Sequence, residues 1–185
     1  MDAADRFVSL LTAAGDPPLD ESLLALAAAR PDATATAAEG LSRLDDLAAG
    51  CPGPDLDDLL AHLFVTEGFR GDRDDYHDPR NSFLDEVLGR RTGMPITLAA
   101  VLITVGRRLD LELVGIGMPG HFLVREADDP EGFVDPFHAG ARIGTSACAA
   151  RFRTLHGTRA AFHPSYLRPV SNRAIVERVM ANLTA

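Results

Sequence analysis

An α+β fold is predicted by three observations on this 185-residue chain. The first seventy residues place apolar side chains at spacings of three and four between proline and glycine breaks. Residues 95–108 are apolar on most sides of a helix, which predicts burial. Residues 111–137 hold short apolar runs separated by polar turns, as strands do. Helices first and a small antiparallel sheet later make an α+β rather than an alternating α/β chain. The expected architecture is a buried central helix against that sheet, over residues 71–185, with a helical region over residues 1–70 packed on it.

The elements follow in order. Asp5 to Leu11 carries Phe7, Val8, Leu10 and Leu11 and closes at Gly15-Asp16-Pro17-Pro18. Asp20 is a cap for a second helix with Leu23, Leu24 and Leu26, stopping before Pro31. A third helix runs from about Thr34 to Ala49, with Leu41, Leu44 and Leu47 on one side, and Cys51-Pro52-Gly53-Pro54 breaks it. Asp55 begins a fourth, with Leu56, Leu59, Leu60 and Leu63. Residues 71–80 are a polar loop whose acids do not fit a calcium-binding EF-hand: counted from Asp72, His77 and Phe83 stand where that loop needs Gly and Glu. Asn81 or Ser82 caps a helix bearing Phe83, Leu84, Val87 and Leu88, with Gly93 as its C′ residue. Pro95 suits the first turn of the central helix, which runs to about Arg108. A strand from Leu111 to Met118 follows, then a hairpin, then helices from about Thr145 to Leu155 and from Ser171 to Leu183.

The hairpin carries the chemistry. Its strands, Pro119 to Arg125 and Gly132 to Phe137, flank Glu126-Ala127-Asp128-Asp129-Pro130. Pairing about residue 128 sets His121 directly opposite Asp135, on one face, with Cβ atoms about 4.5–5.5 Å apart. Leu123 then faces Phe133 and Arg125 faces Glu131, while Phe122, Val124, Val134 and Pro136 point the other way, into a core. The Asp135 carboxylate is expected to accept the imidazole Nδ1–H, fix its tautomer and favour its charged form. Such a pair is two-thirds of a Cys/Ser-His-Asp triad.

Composition narrows the function classes. Hydrophobic residues make up 46% and charged residues 24%, a water-compatible balance. No apolar run approaches a membrane span, and the acidic Met1-Asp2-Ala3-Ala4-Asp5 start is unlike a targeting segment, so a cytoplasmic protein with no membrane partner is expected. Cys51 and Cys148 lie far apart and are expected to be reduced thiols, with neither a disulfide nor a metal site. Of the net charge of −9, all arises in residues 1–70, which hold 13 acids against 4 arginines. That argues against nucleic acid as a partner. All 18 basic residues are arginine, which excludes a lysine nucleophile or a Walker-type phosphate loop.

Four stretches carry a resemblance: Asp78 to Leu84, Arg90-Arg91-Thr92-Gly93-Met94-Pro95-Ile96-Thr97-Leu98, Gly115 to Arg125, and Val134-Asp135-Pro136-Phe137-His138, with weaker support from Leu167 to Arg173. In these the chain resembles the SirB-type branch of the transglutaminase-like, papain-related superfamily. The resemblance implies a cysteine nucleophile at the start of the buried helix, and a histidine and an aspartate on consecutive strands. It puts the histidine on His121 and the aspartate on Asp135. The cysteine would fall two residues after Gly93, where this chain has Pro95, which cannot be a nucleophile.

Candidate replacements for the thiol are Ser82, Thr97 and Cys148, each with an ordinary hydrogen-bonding or packing role as the competing assignment. His138 is a further candidate for the cleft, or a turn residue. Arg80, Asn81 and Arg91 are candidates for an anion or carboxylate contact at the cleft mouth, or for tying down the 71–80 loop. Three functional readings follow: a non-catalytic or regulatory module binding a peptide or protein through the old substrate cleft; an enzyme using His121, oriented by Asp135, as general base on water or a relocated nucleophile; and an acidic helical scaffold for a basic partner. The first is preferred, with no cofactor expected.

Overall fold

The computed structural model describes residues 2–184. Four helical segments open the chain: α1 (Ala3–Thr12), α2 (Leu19–Ala28), α3 (Ala37–Ala49) and α4 (Leu56–Leu60), the last continuing as a π-helical turn over Ala61–Thr66. Then come β1 (Arg70–Gly71), α5 (Leu84–Arg90), β2 (Thr92–Gly93) and the central helix α6 (Pro95–Arg108). The rest is β3 (Leu113–Ile116), β4 (Leu123–Glu126), β5 (Phe133–Asp135), β6 (Ala141–Ile143), α7 (Thr145–His156), β7 (Pro169–Val170) and α8 (Asn172–Leu183). β1 and β2 form a short parallel pair. The other strands make an antiparallel sheet in the order β6-β5-β4-β3-β7. The α+β expectation holds.

Alternation along the strands builds two cores. Phe122, Val124 and Val134 join the larger one, with Leu98, Val101, Leu102 and Val105 of α6, Leu23 and Leu24 of α2, and Ile175, Val176 and Val179 of α8. Ile116, Leu123 and Phe133 face the other way and pack with Cys148 and Phe152 of α7. Helix α6 is buried along most of its length, Arg107 and Arg108 at its end excepted. Because the larger core runs from Phe7 to Val179, the first seventy residues are built into the same hydrophobic unit as the sheet.

The element boundaries differ at several points. Helix α3, expected from about Thr34, is capped by Thr36 in a reciprocal capping box with Glu39. Helix α2 starts at Leu19, so Asp20 is no cap. It is buried instead, accepting from Arg107 Nη2 at 2.6 Å and Arg108 Nη1 at 2.9 Å at the far end of α6. Burial raises the Asp20 pKa, but the two guanidiniums outweigh it and hold it below the usual carboxylate range. Asp78, rather than Asn81 or Ser82, caps the 3-10 turn Pro79–Ser82, and α5 begins after Phe83 without a side-chain cap. Arg91, with φ 57°, ends α5 in the left-handed conformation expected of glycine, while Gly93 sits in β2, where a Cβ would approach Val87 Cγ2 to 2.9 Å.

The hairpin register also differs. Val124 pairs with Val134, two residues beyond its expected partner on β5, so the turn is centred at residue 129 rather than 128 and Arg125 does not face Glu131. Asp129 explains this: its Oδ1 accepts from the N–H groups of Glu131 and Gly132, each at 3.0 Å, closing a compact turn of its own. Arg125 turns back to the carbonyls of Glu126, Ala127 and Asp129. A displacement of two preserves the face, so His121 and Asp135 remain on one side of the sheet, diagonal rather than opposed. Strand β3 is shorter than the predicted Leu111–Met118 run. Among the described residues no helix is long and apolar enough to cross a membrane.

Candidate functional site

The site is assembled where the sheet meets the N-terminus of α6. His121 follows a turn at Pro119-Gly120, and Gly120 has φ 77°, a conformation that L side chains rarely adopt. A Cβ there would also come within 2.9 Å of His156 Nε2, whose ring is held by the Pro119 carbonyl at 3.0 Å. Arg178 of α8 locks the same turn. Its guanidinium donates to the carbonyls of Met118 and His121 (3.3 and 3.1 Å) and lies 5.5 Å from the Phe122 ring centroid. Asp135 ends β5, and Pro136, lacking an N–H, opens the 3-10 turn Pro136–His138. The Asp135 Oδ1 caps that turn by accepting the His138 N–H at 3.2 Å.

His121 Nε2 donates to Asp135 Oδ2 at 2.9 Å. The pair predicted from sequence is therefore formed, but through Nε2 rather than Nδ1. The Nδ1 atom makes no hydrogen bond among the described residues, and His121 lines a cleft. Asp135 is fully buried and has two further partners: His138 Nδ1 lies 3.1 Å from its Oδ2, and the Arg151 guanidinium of α7 closes on the same oxygen. The expected charged imidazole is not favoured. Burial foremost, then the positive neighbours Arg151, His138 and Arg178, push the His121 pKa down to about 3. Arg151 has already balanced the carboxylate, so Asp135 orients the ring without charging it. Burial lowers the His138 pKa as well, with Arg73 adding to the effect.

The cleft in front of His121 measures about 700 Å³ and is walled by Tyr76, Pro95, Phe137, His138 and one face of α7. That face is the stripe Ala147, Ala150, Arg151, Thr154 and Leu155, spaced at i, i+3, i+4, i+7 and i+8. Its short alanines leave room, and Leu155 is 51% exposed at the rim. The neighbouring face of α7 buries Cys148 and Phe152 in the second core.

None of the candidate nucleophiles reaches His121. Ser82 Oγ is buried against Met94 Sδ at 3.4 Å. Thr97 Oγ1 donates to the Asn81 carbonyl at 2.7 Å and accepts the Met94 N–H, capping α6. Cys148 is absent from the cleft wall, and burial pushes its thiol up to about 11, the opposite of an activated thiolate. Thr154 lines the cleft, with its hydroxyl donating to the Ala150 carbonyl at 3.1 Å. Pro95 holds the first position of α6 and lines the cleft beside His121.

The other sequence candidates divide. His138 and Pro95 are in the cleft wall; Arg80, Asn81 and Arg91 are not. Arg80 is exposed and pairs with Asp78, and Arg91 reaches Glu67 at 2.6 Å. Asn81 is buried and donates to Asp72 Oδ2 and the Asp75 carbonyl (3.1 and 2.8 Å). The Asn81 contacts hold the 71–80 loop, the competing assignment, and Arg90 of α5 joins them through Asn81 Oδ1 and Asp72 Oδ2 (3.1 and 3.4 Å), whereas Arg91 pairs outside that loop. Sequence reasoning missed Tyr76, Phe137, Arg151 and Leu155. The alanine-rich stripe on α7 was the available signal for two of them, since small residues beside a lone arginine on one helix face are a poor packing surface.

With this geometry in view, comparisons with known proteins place the chain. The profile of the transglutaminase-like superfamily matches residues 26–181. A UPF0162 protein of Xylella fastidiosa is 40% identical over 126 residues, 66% of this chain and 45% of that protein. A UPF0162 protein of Pseudomonas aeruginosa is 34% identical over 176 residues, 90% of this chain and 64% of that protein. F-box only protein 21 of Mus musculus is 32% identical over 102 residues, half of this chain and 16% of that protein. The chain thus spans between about half and two-thirds of the UPF0162 relatives named here. No solved structure matches. A profile covering most of the length, together with a histidine and an aspartate meeting beside the start of a buried helix, makes this chain a member of the transglutaminase-like superfamily.

Proposed function

We propose that this domain is a non-catalytic peptide-binding module that uses the cleft in front of His121. The observation that carries this reading is Pro95 in the cleft wall beside an intact His121–Asp135 pair, with Cys148 outside the cleft wall and the Thr154 hydroxyl turned to the Ala150 carbonyl. One magnitude weighs against the enzymatic alternative. A general base works best with a pKa near the operating pH. His121 at about 3 is several units too weak to draw a proton from water efficiently. The cleft is instead suited to side-chain recognition: Tyr76, Phe137, Ala147, Ala150 and Leu155 give it apolar walls, and His121, His138 and Arg151 a polar floor. A peptide would rest an apolar side chain on the α7 stripe and turn a carbonyl or carboxylate toward the floor. The match to a small part of F-box only protein 21 supports a module that also works inside a larger chain.

The test is selection from a displayed random-peptide library, followed by affinity measurement on Leu155→Asp. The expected result is a family of apolar-centred peptides whose affinity falls about tenfold or more when the charge is placed on the rim. Failure to enrich any sequence, or enrichment indifferent to Leu155→Asp, would overturn the reading.

A further inference from the structure

We propose that His121, Asp135 and His138 form a binding site for a divalent transition-metal ion of the zinc class, with the Arg151 guanidinium as its competing cation. Each contributes one donor atom, and the three lie within 4.8 Å of one another. His121 Nε2 and His138 Nδ1 are 2.9 and 3.1 Å from the shared Asp135 Oδ2. A tetrahedral ion about 2.0–2.2 Å from each donor spaces them by roughly 3.4 Å, so closure asks for shifts of about an ångström or less at that oxygen. Two neutral imidazoles and one carboxylate are donors that suit zinc and its neighbours rather than calcium or magnesium.

The hydrogen bonding around Asp135 is the second observation. His138 Nδ1 lies 2.6 Å from Arg151 Nη1 and also faces Asp135 Oδ2. Arg151 Nη1 bears two N–H groups and meets both atoms, so the lone pairs of Nδ1 and Oδ2 already converge on one cation, as they would on a metal ion. A positive nitrogen already rests at that convergence, against the carboxylate and beside the imidazole. Arg151 is not trapped there. Its side chain is 27% exposed on the cleft wall, so it can withdraw into the cleft when an ion displaces it. His121 and His138 both line the cleft, so a fourth coordination position opens onto it. The site does not rest on the peptide-binding reading, because occupancy is measured without peptide.

The experiment is titration of the protein with Zn2+ in competition with a chromophoric chelator, on wild type, Arg151→Met and His138→Ala. Each variant is checked for folding by circular dichroism, and the His121 and His138 ring nitrogens are followed by NMR. The expected result is one equivalent bound by wild type with both rings shifting, about tenfold or more tighter binding in Arg151→Met, and about a hundredfold loss in His138→Ala. Absence of stoichiometric binding in wild type, or binding unaffected by His138→Ala, would overturn the proposal. Peptide affinity measured without added metal keeps the two readings distinguishable.

Discussion

At the scale of residues, the pair His121–Asp135 is set by burial more than by charge. The imidazole is held neutral with its pKa near 3, against an unfolded value near 6.5. Below pH 6.5 the unfolded chain takes up a proton that the folded chain refuses, so stability falls as pH drops from about 6.5 toward 3 and is fully present above that window. His138, also lowered, adds in the same direction. Urea denaturation followed by circular dichroism should therefore show stability declining already between pH 6.5 and 4.5, with a shallower decline in His121→Gln. An unchanged slope in that variant would mean that the ring is not the group refusing the proton. Asp135→Asn should cost about 2 kcal/mol, because a fully buried position loses its charge-assisted hydrogen bonds while Arg151 can turn toward the cleft. Of this site the sequence made the pairing legible through alternation. Neither the protonation nor the use of Nε2 was legible, since both depend on Arg151 and Arg178, which arrive from helices distant in the chain.

At the scale of elements, α7 illustrates how one helix serves two surfaces. Cys148 and Phe152 fix it to the sheet, while its alanine stripe leaves the cleft open. Its extent was readable from residues 145–155, but which face met the core was not, because alanine on either side leaves the periodicity weak. The contact of α2 with α6 was likewise hidden. Asp20 has every mark of a local cap, yet its partners are Arg107 and Arg108, 87 and 88 residues away. Asp20→Ala should destabilise the protein by about 2 kcal/mol, because it removes the charge-assisted hydrogen bonds that join α2 to α6, although Arg107 is half-exposed and Arg108 keeps Asp45. Thr36→Ala, which removes an exposed capping box, should cost only about 1 kcal/mol. Parallel urea titrations of the two variants give the ratio directly. Equal costs would mean that the Asp20 arginines find other partners.

At the scale of the whole molecule, the helical first seventy residues and the sheet share one core, so they should unfold together. Calorimetry should give a single transition whose calorimetric and van't Hoff enthalpies agree. Two resolved transitions would separate the N-terminal helices from the rest. The order of helices, central buried helix and late antiparallel sheet was legible from periodicity alone. The cleft was not, because it is an absence of side-chain volume shared among α6, the turn after β5 and α7. This transglutaminase-like chain frames a cleft with the His121–Asp135 pair and the start of α6, and the proposed reading rests on Pro95 standing there. The most direct measurement is therefore intact mass spectrometry of wild-type protein incubated at stoichiometric ratio with its best-binding selected peptide. The account predicts that peptide and protein are recovered at their starting masses. A cleaved peptide, or a covalent adduct on the protein, would contradict it.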